Sequence, residues 1–412
     1  MVWGGAEMLR VEVGEEVPGK GGEATNGSIA LPGLAWRVSV LYVALYLHYG
    51  FFNLINLWLH ETGSQPSEIA LLTALPLILR LITVAPFAAW CGRRGLVRDA
   101  IGATALIAAM VALSFPLMTS DVTRLLVFLV FAVAWDQIPV LVDAYAVMAV
   151  RSQKLDFGRL RVWGSIAVVI SGLVAGKLID WLGILSLPML AGAFLMLTVV
   201  VTPFLPRDRA LMHEPANIGG GWRNLFSDRP LIASMAAASL ILGSSGVFMS
   251  FSAIQWQGQG LSAFTIGILN GVAVASEIVA FALGAKLLGK RDPRVLIAVA
   301  AVAAGLRWAI MATTPGIPLL IFAQLLQSIS AAGALLAPVM LIAARVPNRL
   351  ASNAQGFFAV VLGAIAAAVI LLSGFLWSLG PSWAYLFMTA IALLALPVLT
   401  FWRHGTPVAD LT

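Results

Sequence analysis

Twelve runs of apolar residues, each about long enough to cross a bilayer as a helix, constrain this chain more than any other feature. They cover 34–59, 67–91, 100–119, 123–150, 160–180, 184–205, 229–254, 262–288, 294–314, 317–344, 350–377 and 383–402. About 20 residues rising 1.5 Å each span the ~30 Å hydrocarbon layer, and in lipid a helix satisfies its own backbone. With 60% hydrophobic and only 11% charged positions, the chain is too apolar for a soluble globule. The expected fold class is an all-α membrane protein of twelve transmembrane helices in two six-helix bundles, with the lipid bilayer as its first partner.

The charges orient these spans. Loops on one side hold Arg93, Arg94, Arg98, Arg151, Lys154, Arg159, Arg161, Arg207, Arg209, Arg223, Arg229, Lys286, Lys290, Arg291, Arg294, Arg345 and Arg349. With Arg10, Lys20, Arg37 and Arg403 this side carries 21 of the 25 basic residues. By the positive-inside rule both termini are cytoplasmic, and the expected location is the inner (plasma) membrane. The net charge of +6 therefore orients the chain and implies no nucleic-acid partner. Residues 1–33 lack the apolar core of a signal peptide and read as a disordered cytoplasmic tail. Residues 34–205 form a first six-helix bundle, 206–228 a cytoplasmic linker rich in Pro, Gly and charge, and 229–404 a second bundle. The single cysteine, Cys91, excludes an internal disulfide, and four scattered histidines offer no metal site. No cofactor is expected beyond a proton as coupling ion, and no nucleophile–base pair marks an enzyme.

The two halves echo each other. An offset of 197 residues lays Gly63 on Gly260, Ile69 on Ile266, Arg93 on Lys290 and Arg94 on Arg291, and it lays Arg80 on Glu277. Two spans thus share a preceding glycine, a following basic pair and an ionisable residue of opposite sign at one depth. Parallel halves of a secondary transporter look like this, with the substrate site near the midplane between them.

Ionisable residues at such depth cost about 2.5–3.5 kcal/mol and need a role or a partner. Glu277 is the leading candidate for a proton site, with a static salt bridge to Arg307 as the other reading. Asp136 and Asp143, about two turns apart in span 4, are further coupling or gating candidates, since a buried carboxyl can exchange a proton across a membrane. Asp143 could equally be a fixed partner of Arg80 or Arg161. The Arg80 guanidinium cannot lose its charge, so it faces a wet cavity or a carboxylate. Arg307 could clamp a substrate carboxylate beside Trp308. Tyr42, Tyr46, Tyr49, Asn53 and Asn56 make one polar stripe along span 1, which either lines a cavity or bonds other helices. His48 beside it reads first as a structural hydrogen-bonder. Ser245, Phe248, Ser252, Gln255 and Trp256 in span 7, with Gln324, Gln327 and Ser328 in span 10, either bind substrate or join helices. Lys177 and Asp180 read as a snorkelling pair near the outer surface.

At 157–165 the sequence FGRLRVWGS resembles the phenylpropionate permease branch of the major facilitator superfamily, related to lactose permease and the nucleoside–proton symporters. Gly158, Arg159, Arg161, Trp163, Gly164 and Ser165 match the branch's opening of its fifth span. Further matches are Asp143-Ala144, FSAIQWQ at 251–257, SEIVAFAL at 276–283, GLRWAIMATT at 305–314 and IAAR at 342–345. Two departures stand out: Phe157 replaces the usual Tyr, and Cys91-Gly92-Arg93-Arg94-Gly95 lacks the acid that the superfamily's loop after span 2 normally carries.

The resemblance implies the major facilitator fold and proton-coupled symport of a small, aromatic carboxylate by alternating access. Arg80 and Arg307 are the candidate contacts for that carboxylate, and the polar and aromatic faces read from the spans add Tyr42, Tyr46, Tyr49, Asn53, Trp256, Trp308 and Gln324 as candidate substrate contacts. The alternatives are symport of a neutral nucleoside or oligosaccharide, drug–proton antiport, and a non-transporting sensor or assembly factor. A monomer is expected.

Overall fold

The computed structural model describes residues 33–118, 120–153, 155–208, 211, 228–288, 291–346 and 348–401. The tail at 1–32 and most of the linker at 206–228 lie outside the described residues. Twelve candidate membrane spans are present: Leu34–Glu61, Pro66–Arg94, Val97–Leu117, Val122–Gln153, Phe157–Leu182, Ile184–Phe204, Arg229–Gly258, Ala263–Phe281, Pro293–Ala312, Ile317–Arg345, Ala354–Leu379 and Pro381–Phe401. The expected count holds, and the ends fall within a few residues of the apolar runs. The described regular structure is helical throughout.

Spans 1 and 7 are not the single helices that hydropathy implies. Span 1 divides into Leu34–Tyr46, Tyr49–Phe52 and Ile55–Glu61, and span 7 into Arg229–Gly243 and Gly246–Gly258. In each, side-chain donors take main-chain carbonyls from the helical ladder, which loosens a helix locally. His48 bonds the Leu45 carbonyl, while Ser244 and Ser245 donate to the carbonyls of Ile241 at 2.6 Å and Leu242 at 2.7 Å. The breaks obey the 197-residue offset: helices end at Tyr46 and Gly243 and restart at Tyr49 and Gly246. The following helices start at Pro66 and Ala263. Gly63 and Gly260, which precede them, have φ of 90° and 84°. The echo in sequence is therefore a structural repeat.

On the face where span 1 begins and span 12 ends, each half is tied within itself. Asp208, after span 6, accepts from the backbone N–H of Val97 and, at 3.0 Å, of Arg98 at the start of span 3. Asp208 thus holds the start of span 3, directly after the acid-free loop at Cys91–Gly95. Asp228 caps span 7 through the Leu231 N–H at 3.2 Å and pairs with Arg345 at the end of span 10 at 2.7 Å.

The halves meet on the opposite face, where spans 5 and 8 cross and spans 2 and 11 cross in the equivalent way. Glycines permit both crossings. A Cβ on Gly176 would lie 2.5 Å from the Ala263 carbonyl oxygen, and one on Gly374 would lie 2.9 Å from that of Pro66. Three described hydrogen bonds join the halves, all toward this face. Asn56 Nδ2 donates to the Met249 carbonyl at 3.0 Å, and the Asp180 carboxylate accepts from the N–H groups of Ala263 at 2.8 Å and Phe264 at 3.1 Å. Among the described residues no comparable contact joins spans 4 and 10, so the cleft opens toward the face where span 1 begins and span 12 ends.

Asp180 does not form the expected pair with Lys177. It caps the helix of span 8 across the interface, where free N–H groups and the positive end of the helix dipole attract a carboxylate more than a mobile lysine does. The equivalent helix of span 2 caps itself through Gln65 and Glu68. Asp180→Ala is expected to weaken closure of this face by about 1 kcal/mol, a roughly fivefold shift toward the open form. Hydrogen exchange at the first amides of span 8 should quicken by that factor; unchanged exchange would show that the cap does not hold the face shut.

Candidate functional site

Each half contributes one polar cluster within its spans. In the first, Tyr42 donates to Asp143 Oδ1 at 2.7 Å, and Arg161 Nη2 donates to the Tyr46 hydroxyl at 2.8 Å. Arg161 also lies 3.6 Å from Asp143 and 4.6 Å over the Tyr46 ring. The side chains of Arg161 and Asp143 keep 16% and 31% of their surface exposed, so the pair borders the cleft. Asp143 is thus the partner of Arg161 and Tyr42 rather than of Arg80.

The local sequence explains this meeting. Asp156 caps span 5 by accepting from the Arg159 N–H at 3.1 Å, which sets the helix phase. A Cβ on Gly164 would lie 2.7 Å from Tyr46 Cδ2 and 2.9 Å from Arg161 Nη1, so that position must be glycine for Tyr46 and Arg161 to touch. Within the FGRLRVWGS motif, Arg161 and Gly164 serve the cluster, Gly158 and Arg159 lie at the helix start, and Trp163 is exposed on the outer surface. Ser165 is half-buried.

Above this cluster the stripe of span 1 continues into an aromatic shelf. Tyr46 and Tyr49 rings lie 4.7 Å apart, Tyr49 and Trp135 5.2 Å, and Phe52 stacks on Trp135 at 4.4 Å. Trp135 donates to His48 Nε2, and His48 Nδ1 faces the Leu45 carbonyl. Indole can only donate, so Nε2 accepts and Nδ1 carries the proton. Both nitrogens are committed, and His48 is a structural link. Sequence reasoning passed over Trp135; the available signal was an indole next to a mid-span acid, Asp136.

Arg80 and Asp136 stand apart from these commitments. Arg80 is half-buried, and its charge reaches Asp136, Tyr46 and Tyr49. Among the described residues it makes no hydrogen bond or ion pair. Asp136 is 5% exposed and likewise has no hydrogen-bond partner among the described residues. Asn53 is half-buried in the same stretch.

In the second half, Glu277 and Arg307 do not form a direct salt bridge. Gln327 stands between them: its Nε2 donates to Glu277 Oε1 at 2.6 Å and its Oε1 accepts from Arg307. Arg307 also donates to Gln324 Oε1 at 2.8 Å, and its guanidinium lies 4.2 Å over the Trp308 ring and 4.5 Å over that of Phe248. Trp308 donates to Ser244 at 2.9 Å, which ties this cluster to the break in span 7. Arg307, Trp308, Gln324 and Trp256 are all buried inside the second bundle, whereas Glu277 is half-buried. In this conformation Glu277 borders the cleft and the other four stand behind it.

Two repeated sets of six helices, with ionisable side chains at the midplane between them and one face shut, define a membrane transporter of the major facilitator type. The chain belongs to the MFS_1 like family, whose model matches residues 35–387. It is 28% identical over 365 residues to "Probable 3-phenylpropionic acid transporter" of Escherichia coli (strain K12), covering 87% of this chain and 94% of that one. It is 22% identical over 374 residues to "Maltose permease" of Geobacillus stearothermophilus, covering 87% and 92%. The crystal structure of the nucleoside transporter NupG superposes with a TM-score of 0.76 at 15% identity over 90% of this chain and 100% of that one. These relatives are transporters rather than enzymes.

Proposed function

We propose that the protein is a proton-coupled symporter of a small aromatic carboxylate. Of Arg80 and Arg307, deep in spans 2 and 9, and Arg161, in the first turns of span 5, Arg161 and Arg307 are committed to partners in their own bundles, and Arg80 is not. That uncommitted cation beside the Tyr49–Trp135 shelf is the observation that carries the reading. A guanidinium takes a carboxylate through a two-pronged hydrogen bond, and the shelf packs an aryl ring against apolar faces. The relative's name supplies 3-phenylpropionate as the probe. Glu277, open to the cleft, carries the proton, with Asp136 as the acid nearest the substrate and Asp143 as a gating acid. The excess of basic residues in one set of loops supports cytoplasmic termini in a plasma-membrane protein, and on that reading the cleft of this conformation faces inward.

Energetics separate this reading from its rival. A proton moving alone down about 100 mV yields roughly 2.3 kcal/mol, and each pH unit yields about 1.4 kcal/mol. A monocarboxylate travelling with one proton moves no net charge and draws only on the pH term. The test is uptake of labelled 3-phenylpropionate into proteoliposomes, with an imposed pH gradient and, separately, an imposed potential. Uptake should follow the pH gradient, ignore the potential and fall at least tenfold in Glu277→Gln. Potential-driven uptake of a nucleoside or sugar without a phenylpropionate signal would overturn the assignment.

A further inference from the structure

Gln327 lies between the carboxylate and the buried guanidinium, and the chemistry of the three groups leaves it one orientation. Arg307 has donors and no acceptor, so the acyl oxygen of Gln327 must face it. The amide nitrogen then faces Glu277 Oε1, 2.6 Å away. Turning the amide over would aim N–H groups at the guanidinium and an oxygen at the carboxylate, losing both bonds. Gln324 holds the other arm of Arg307 at 2.8 Å and keeps the guanidinium in register.

Gln327 can therefore only donate to Glu277. A proton placed on Oε1 would displace that donor, so the neutral acid carries its proton on Oε2, which makes no hydrogen bond to any described residue. Arg307 is the charged side chain acting on Glu277 from its own bundle. Span 10 has no charged residue before Arg345, and span 5, across the interface, has none between Arg161 and Lys177.

We propose that Gln327 is a positioning residue, a neutral spacer that keeps Arg307 from pairing directly with Glu277 and so reserves Glu277 Oε2 for the transported proton. This rests on the symport reading. Without the spacer the flexible arginine closes on the carboxylate, since a buried charge pair at contact distance outweighs one held apart by an amide. Glu277 is then fixed as the anion, and the carrier binds and exchanges substrate without using the proton gradient.

The test compares two fluxes in proteoliposomes for Gln327→Met, which preserves length and removes both hydrogen bonds. The first is exchange of labelled for unlabelled 3-phenylpropionate at equal pH. The second is accumulation driven by a pH gradient. Exchange should stay within about threefold of wild type while accumulation falls at least tenfold. Wild-type accumulation in the variant, or parallel loss of both fluxes in membrane-inserted protein, overturns the proposal. If Gln327→Met fails to insert, Gln327→Asn, one methylene too short to reach both partners, is read by the same criteria. Wild-type protein that ignores the pH gradient overturns the symport reading before any variant is made, and the proposal with it.

Discussion

Gly267→Leu is expected to abolish uptake while leaving the protein folded. A Cβ at Gly267 would lie 2.3 Å from the carbonyl oxygen of Gly172 and 3.0 Å from its carbon. Both are backbone atoms inside a helix and cannot step aside as a side-chain tip could. Gly267 belongs to span 8 and Gly172 to span 5, so their contact joins the two halves and exists only while this face is shut. The substitution excludes one conformation and spares each bundle. An overpacking penalty of about 3 kcal/mol corresponds to roughly a hundredfold loss of the closed form. Uptake should fall by at least that factor, with a melting temperature close to wild type and faster hydrogen exchange where spans 5 and 8 cross.

Gly50→Leu is the contrasting control. A Cβ at Gly50 would lie 2.1 Å from the Ser171 carbonyl oxygen, within the first bundle, where the clash is present in every conformation. That variant should lose folded protein. Normal uptake by Gly267→Leu would mean that the glycine crossing takes no part in the transport cycle.

Arg307→Met should give the largest loss of stability. The arginine is 1% exposed, bonded to Gln324 and Gln327 and covered by Trp308 and Phe248. Its removal strands two acyl oxygens and leaves Glu277 without a cation. Each buried acceptor left unpaired costs about 1–3 kcal/mol, so the two acyl oxygens together set the expected loss at roughly 2–6 kcal/mol. Thermal or denaturant unfolding in detergent should show a loss of that size. Adding Glu277→Gln should recover more than about 1 kcal/mol, the coupling expected of groups in one network. An Arg307→Met protein as stable as wild type would mean that Glu277 is already neutral, or that water satisfies the site.

The pairing of the two halves' clusters with their neighbours was partly legible beforehand. The sequence leaves Arg80 and Arg161 as equal candidates for pairing with Asp143, and packing decides for Arg161. Sequence spacing leaves Arg307 and Glu277 either a direct pair or separate sites and marks Gln327 only as one of several uncharged residues on a helix face. Helical spacing reports which residues share a face and nothing about what stands opposite. Asp180 was misassigned for the same reason: its strongest partner is the end of a helix 83 residues later, which no local pattern reveals.

By itself the sequence determined the number of spans, because bilayer thickness sets the length of an apolar helix, and the division of the loops into a basic set and a charge-poor set. It also determined the repeat, since one offset matches Gly63 with Gly260, Arg80 with Glu277 and the basic pair Arg93-Arg94 with Lys290-Arg291; the breaks in spans 1 and 7 that obey the same offset came from the structure. Only the tertiary structure decided which arginine stays uncommitted, which oxygen of Glu277 is open, and which face is shut. Those depend on a few close approaches at glycine between distant segments, where a change of about an ångström moves a hydrogen bond from one partner to another.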